Sequence, residues 1–466
     1  MASTMLSMGS GMNVGSTVGH EVAAITGSGG GWRHRVVIVG GGFGGLACAR
    51  ALDGEQVDVL LIDRHNYHLF TPLLYQVATA LLNPSDIAYP LHRGFRGSRN
   101  VRFRQAAVTD VDLDRKVVRT SSGDALLYDV LVLATGSAND YFGNAELAAR
   151  TIGMKELGEA MRLRNHVLAC LEHASQSSSI DERRVWLTFV IVGGGPTGVE
   201  YAGALSELLR LVLGRDFPDL SPGLARIVLV EGRDRLLSAF HPKLGEYAER
   251  ILRDRGIEVR TSVLVEKATE ELVVLSSHDE ILSRTVVWSA GVRPEDPVRA
   301  PDAPRSRSRR LEVDGHLRLA GRSDVYVIGD AASVTHRGGE LAMLAPPAMQ
   351  EGRYVARSIR DRVRGVPARG PFRYRDKGTM ATIGRNAAVA DMRGVRLRGF
   401  PGWVVWLVVH IYHLIGFRNR LAVLWSWGWD YLRRDRPIRL IIRSHGDPLA
   451  DQFESGPSGP NDITKT

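Results

Sequence analysis

Short apolar runs rich in β-branched residues recur along the chain at 36–39, 57–62, 129–133, 189–192, 227–230, 285–287 and 324–328. They are continuous rather than alternating, the pattern of strands buried on both faces of a parallel sheet. Helix-forming patterns follow two of them, over 46–52 and from 198 onward. Residues 208–222 read as an extended helix and loop. Residues 101–120 instead alternate between apolar and polar positions around charged turns, which predicts strand pairing at an edge. Within that stretch Asp110, Asp112 and Asp114 have the opening spacing of a calcium loop. Arg115 stands where its glycine should be and Ser121 where its closing glutamate should be, so a hairpin is the better reading. Strands alternating with helices predict an α/β fold.

The first run feeds Gly40-x-Gly42-x-x-Gly45, and the run at 57–62 ends at Asp63. Strand, glycine turn, helix and terminal acid form a dinucleotide fingerprint. The first glycine makes the turn, the second admits a pyrophosphate, the third lets helix meet strand, and the acid accepts ribose hydroxyls. The run at 129–133 leads to Thr135-Gly136, a close approach of backbone to ligand. Residues 64–76, starting at Arg64, are densely polar and aromatic and read as a cofactor-lining loop. The pattern then repeats with Gly193, Gly195 and Gly198, an acid at Glu231, and Gly291 closing the unit. Two such units predict two nucleotides, most economically a flavin and the nicotinamide that reduces it. The run at 324–328 returns to Gly329-Asp330, so the second unit is inserted into the first.

The fold expected is therefore α/β, with two Rossmann-like dinucleotide-binding domains and a C-terminal amphipathic membrane-associating segment. The boundaries read are 1–32, a disordered tail without signal-peptide character; 33–150 and 299–375, the first nucleotide domain; 151–298, the second; 376–443, the membrane-associating region; and 444–466, a disordered tail. A Pro/Arg-rich stretch at 299–310 reads as a solvated linker.

Composition adds four points. At 466 residues, with 44% apolar and 24% charged residues, the chain can build two or three cores. A net charge of +9 and a pI near 9.7 suit an anionic partner. No nucleic-acid-binding signature is present, which favours an acidic membrane surface. Five of the eight tryptophans lie at 403, 406, 425, 427 and 429, in two apolar stretches around Arg418 and Arg420, with Arg433, Arg434, Arg436 and Arg439 following. Each stretch is short of the roughly 20 apolar residues a span requires. Two interfacial helices, with Trp at headgroup depth and Arg on anionic lipid, are expected; the alternative is a hairpin packed on the protein or at a dimer contact. Finally, Cys48 and Cys170 are the only cysteines. They cannot supply the paired thiols of flavin disulfide reductases or the several of sulfide-oxidising flavoproteins.

From about residue 35 to 434 the chain resembles the type II, non-proton-pumping NADH:quinone dehydrogenases. The resemblance rests on GGGFGG, DRHNYHLFTPLLYQVAT, ATGS, IVGGGPTGVE, VIGDAA, KGTMATIGR and the Trp-rich tail, in that order. It implies FAD on Gly40, Gly42, Gly45, Asp63, Arg64, Thr135, Gly136 and Asp330, and NADH on Gly193, Gly195, Gly198, Glu231 and Gly291. It also implies a membrane quinone (ubiquinone or menaquinone) near Gln350 and Lys377, with Glu200 as a catalytic carboxyl. The plain alternative for Glu200 is a favourable charge in the first turn of a helix; for Lys377 it is a surface charge. One departure concerns the family's Ala-Gln-x-Ala-x-Gln: this chain has Pro346 in place of the first glutamine, losing an amide and stiffening the loop. The activity implied is electron transfer from NADH through FAD to quinone, by a peripheral protein on the cytoplasmic face of a bacterial inner membrane, with a homodimer as an expected partner state. A soluble-acceptor NADH oxidoreductase and a non-catalytic NADH/FAD sensor are the alternatives.

Overall fold

The computed structural model describes residues 34–442 apart from 296–302, 393, 434 and 437. Both expected tails, and part of the linker, lie outside the described residues.

Two five-stranded parallel sheets carry the two units. The first runs in the order Val325–Val327, Val130–Leu133, Arg35–Val39, Asp58–Asp63, Val101–Gln105. The second runs Ile152–Gly153, Thr285–Trp288, Thr188–Val192, Arg226–Val230, Ile257–Arg260. In each, the strand before the glycine loop is central, with the acid-bearing strand on one side. The strand ending in Thr-Gly or Ser-Ala-Gly lies on the other. Ligands bind beyond the carboxyl ends of such strands, where the strand order reverses. The outermost strand of the first sheet, Val325–Val327, comes from chain beyond the second unit, while Ile152–Gly153 reaches the second sheet from the first. The two crossings pair as antiparallel strands, Ser137–Asn139 with Val292–Pro294. The aspartates at 110–114 lie on a hairpin, Val108–Asp112 pairing with Val117–Thr120.

Five helices position the site: α1 Phe43–Leu52, α2 Pro196–Val212, α3 Ala345–Val363, α4 Gly399–His413 and α5 Phe417–Arg433. Helix α3 lies against α1 at two glycines, since a Cβ on Gly352 would collide with the Gly44 carbonyl. Pro346 stands in the first turn of α3 rather than in a loop, where its missing N–H costs nothing.

An antiparallel sheet of Thr379–Thr382, Ala388–Met392 and Val395–Arg398 precedes α4 and packs on α2. On α4, Gly402, Trp406 and His410 are buried, while Phe400, Val404, Val408 and Tyr412 face outward. Leu421, Leu424, Trp425 and Leu432 extend the exposed apolar face on α5. The hairpin therefore packs on the protein by one face and presents an apolar opposite face, so both sequence readings describe it in part. Among the described residues no helix is long and apolar enough to cross a membrane.

The expectation of five interfacial tryptophans needs correction. Trp406 is 1% exposed, and Trp427 donates its indole N–H to Gln76 at 2.8 Å. Trp425 and Trp429 stack on one another and face outward. Helical periodicity divides them, since the buried and exposed indoles lie on opposite faces. Arg436 is likewise not a lipid-facing charge. Only 2% exposed, it donates to the carbonyls of Thr79 and Ala204 and pairs with Glu207 at 3.2 Å.

Candidate active site

The two glycine loops are built alike. Gly40 and Gly193 have φ of +104° and +110°, and a Cβ on either would run into the backbone at Ala134 or Ser289. On Gly45 and Gly198 a Cβ would strike the carbonyls of Gly40 and Gly193. These four glycines are required by the turn and by the helix–strand approach. Gly42 and Gly195 differ. Each has an ordinary negative φ, −68° and −72°, and a Cβ there would meet nothing within 4 Å. No protein group requires glycine at either position. The space a side chain would fill is left open at a helix N-terminus, where a pyrophosphate is received. FAD and NADH fit this chain on that observation.

The acids brace the same loops. Asp63 accepts the N–H of Gly41 at 2.6 Å and that of His65 at 2.7 Å. Glu231 accepts the N–H of Gly194 at 2.5 Å and that of Arg233 at 2.8 Å. Gly136 and Gly291 also correspond, with φ of +75° and +73°; the Phe142 ring lies over Gly291.

An open cleft runs along the first loop. Gly42, Asp63, Arg64, Thr135, Gly136 and Asp330 all line it. Gly40 and Gly45 lie beneath it as framework. The 64–76 stretch is only half cofactor-lining and is not a loop. His65, Tyr67, Leu69 and Thr71 face the cleft, whereas His68, Phe70, Leu73 and Tyr75 are buried behind it. The strand Tyr67–Leu69 imposes this alternation and helical turns follow it. Arg64 also pairs with Glu156 at 2.6 Å and Glu295 at 3.2 Å, tying both crossings to the cleft's edge.

Sequence reasoning missed several groups here. His68, with Nδ1 3.0 Å from the Gly41 carbonyl, is pushed down to about 4 by burial and is neutral. Glu351, 1% exposed, accepts the Gly329 N–H at 2.6 Å and so holds the turn bearing Asp330. Burial pushes its carboxyl up to about 7. Lys155, 3.6 Å from Asp330, reaches the cleft from the first crossing. His68 lies inside the 64–76 stretch and Glu351 adjoins Gln350, so position in the sequence pointed towards both, whereas nothing in the sequence pointed to Lys155.

Glu200, Gln350 and Lys377 are strung along one segment. Glu200 lies in the second turn of α2 and accepts the Thr382 N–H at 3.2 Å. It is not a first-turn charge on its own helix. It is 8% exposed, and burial pushes its carboxyl up to about 8 against the opposing pull of Thr382 and the Trp406 indole. Gln350 uses both ends of its amide on the Arg375 backbone, donating to the carbonyl and accepting the N–H, each at 3.0 Å. Lys377 is exposed two residues further on, near His413 at the end of α4. Gln350 and Glu200 thus hold positions seven residues apart, up to about 23 Å of extended chain.

Cys48 and Cys170 are both buried, in different cores, and burial pushes each thiol up to about 12. Neither is a reactive thiolate.

A family model described as pyridine nucleotide-disulphide oxidoreductase matches residues 34–352, and the NDH2 C-terminal domain matches residues 377–434. Two type II NADH:quinone oxidoreductases of Mycobacterium tuberculosis, NdhA and Ndh, are each 38% identical over 422 and 417 residues. In both cases 87% of this chain and 89% of the relative are covered. Among solved structures, NDH2 from Plasmodium falciparum in complex with NADH superposes with a TM-score of 0.79 at 20% identity, covering 88% of this chain and all of that one. The sulfide:quinone oxidoreductase of Aquifex aeolicus shares the fold at a TM-score of 0.66 and 16% identity, covering 86% and 96%. The chain belongs to the pyridine nucleotide-disulphide oxidoreductases and, among them, to the type II NADH:quinone oxidoreductase family.

Proposed function

We propose that the chain oxidises NADH at its second glycine loop and reduces quinone beside the C-terminal hairpin, electrons passing through FAD held in the first cleft, without proton pumping. The observation that carries this reading is the pair of matching cradles, each open at its middle glycine. When bound, the flavin supplies two-electron chemistry between a hydride donor and a quinone. The chain's own residues bind and orient. Gly42, Asp63, Thr135, Gly136 and Asp330 hold FAD; Gly195 and Glu231 hold NADH, with Glu231 on the ribose hydroxyls. Quinone reduction consumes two protons. The Glu200 carboxyl, largely protonated at pH 7, stores one in a buried position against the hairpin. Gln350 and Lys377 serve the quinone side.

The exposed face of α4 and α5 docks on an anionic membrane, at the cytoplasmic face of a bacterial inner membrane. Apolar outward positions flanked by Arg418 and Arg433 support this. Deleting the hairpin would uncover Tyr75 and Gln76, so the test uses outward positions. Val408→Glu with Trp425→Glu should abolish sedimentation with anionic vesicles while leaving ferricyanide reduction by NADH intact. An unchanged pelleting fraction removes the membrane assignment, and a dimer that the same pair dissociates assigns the face to a second copy. The activity itself is tested by NADH oxidation with ubiquinone and menaquinone analogues. Sustained turnover excludes a sensor, and turnover with ferricyanide but neither quinone assigns a soluble acceptor.

A further inference from the structure

The second sheet fixes which end of a dinucleotide lies where. Arg226–Val230, the strand that delivers Glu231, flanks the central strand Thr188–Val192 on one side. Thr285–Trp288, which leads to Gly291, flanks it on the other. A dinucleotide crosses such a sheet with its adenosine ribose at the acid and its pyrophosphate on the glycine loop, so its nicotinamide end falls on the Gly291 side. In the first unit the corresponding Gly136 lines the FAD cleft, and a Cβ there would meet nothing within 4 Å. At Gly291 the same space holds the Phe142 ring, whose Cζ would lie 2.5 Å from such a Cβ.

Phe142 comes from the first unit. It sits in the turn 141–144, which the Asn144 N–H closes on the Tyr141 carbonyl at 3.0 Å. Both central residues have positive φ, +53° at Phe142 and +82° at Gly143. That is the pattern of a type I′ turn, which favours Asn, Asp or Gly where Phe142 stands and strains a bulky side chain. Burial does not account for the ring, which is 70% exposed and only edges Trp288, at 6.3 Å between centroids. Asp140 nevertheless pins the turn in place. Its carboxylate accepts the Phe142 N–H at 2.9 Å and Arg309 at 2.8 Å, and its carbonyl accepts the Trp288 indole N–H at 3.0 Å. Backbone strain that neighbouring bonds maintain, at the edge of a ligand cradle, points to a function for the ring.

We propose that Phe142 is a substrate-binding residue whose ring packs against the nicotinamide riboside of NADH. The inference rests on the reading of the second glycine loop as the NADH site. The ribbon of Ser137–Asn139 with Val292–Pro294 runs from Gly136 at the FAD cleft to this turn. The flavin-holding unit thereby takes a direct part in orienting the hydride donor.

The test uses the FAD-loaded protein, with NAD+ and ADP as paired ligands in calorimetric titration. Phe142→Gly should weaken NAD+ binding by about fivefold and leave ADP, which lacks the nicotinamide riboside, unchanged. Phe142→Tyr keeps the ring and should bind both as wild type does. In stopped flow, the NADH concentration giving half-maximal flavin reduction should rise by about fivefold in Phe142→Gly and hold in Phe142→Tyr. The unfolding temperature of Phe142→Gly should hold or rise, since glycine accepts the positive φ that strains phenylalanine. Unchanged NAD+ affinity in Phe142→Gly, or weakening of ADP by the same factor, overturns the proposal. If NAD+ binding depends on the ring but NADH fails to reduce the wild-type flavin, the proposed function fails while Phe142 keeps its role.

Discussion

The Glu200 carboxylate accepts the backbone N–H of Thr382 across 182 positions of sequence, joining the nicotinamide-side helix to the sheet beneath the hairpin. The Thr382 N–H and the Trp406 indole do not offset its burial, so the carboxyl rises from 4.5 to about 8. A raised folded-state value contributes stability that is complete below about 4.5 and is lost as pH rises through 8. The loss should reach on the order of 4 kcal/mol. Thermal unfolding followed from pH 5 to pH 9 should therefore fall more steeply for wild type than for Glu200→Gln. Parallel curves would show that Glu200 ionises freely.

Gly42→Ala and Gly45→Ala should separate ligand binding from folding. The first puts a methyl into open space, so the unfolding temperature should hold while FAD retention drops by roughly tenfold or more. The second drives a methyl into the Gly40 carbonyl and should cost at least about 3 kcal/mol of stability. Gly195→Ala should raise KM for NADH with FAD content intact. Equal loss of stability in the two first-loop variants would disprove the distinction.

Nucleotide choice turns on Glu231. Its charge repels a 2′-phosphate, and the nearby arginines are engaged elsewhere, Arg233 with the Ser238 hydroxyl at 2.7 Å and Arg235 with the Ser238 carbonyl at 3.2 Å. NADH should be preferred at least roughly tenfold in kcat/KM, about 1.4 kcal/mol. Glu231→Gln keeps an acceptor for Gly194 and should narrow the gap, as paired steady-state assays with both nucleotides would measure. Equal use of NADPH by wild type would mean that the arginines turn to the phosphate.

Gln350→Ala removes both bonds to the Arg375 backbone and frees the segment leading to Lys377. Flavin reduction by NADH in stopped flow should stay within about threefold, while quinone turnover falls by roughly tenfold or more, as expected when both of those hydrogen bonds are lost. Ferricyanide, which needs no proton, should be reduced almost normally. Collapse of flavin reduction would place Gln350 on the nicotinamide side or in the framework.

Much of this protein was legible before any coordinates, because the features concerned are local. Gly40 and Gly193 need positive φ whatever surrounds them, continuous β-branched runs bounded by glycine turns favour buried strands, and a strand-end acid comes back to its glycine loop. The resemblance to the quinone-reducing family likewise rested on contiguous stretches. What the sequence could not contain is the partner of a side chain hundreds of residues away. Nothing in the spacing of Trp427 and Gln76, 351 positions apart, announces a hydrogen bond. The environment of Glu200 was equally hidden: its motif implied a catalytic carboxyl, with a helix-end charge as the plain alternative, and only packing against Thr382 and Trp406 makes it a buried acid. Arg436 read as a lipid-facing charge until the fold closed around it. Local chemistry is decided by neighbours in the chain, but burial and long-range pairing depend on which surfaces meet when the chain folds, and those set ionisation and direction.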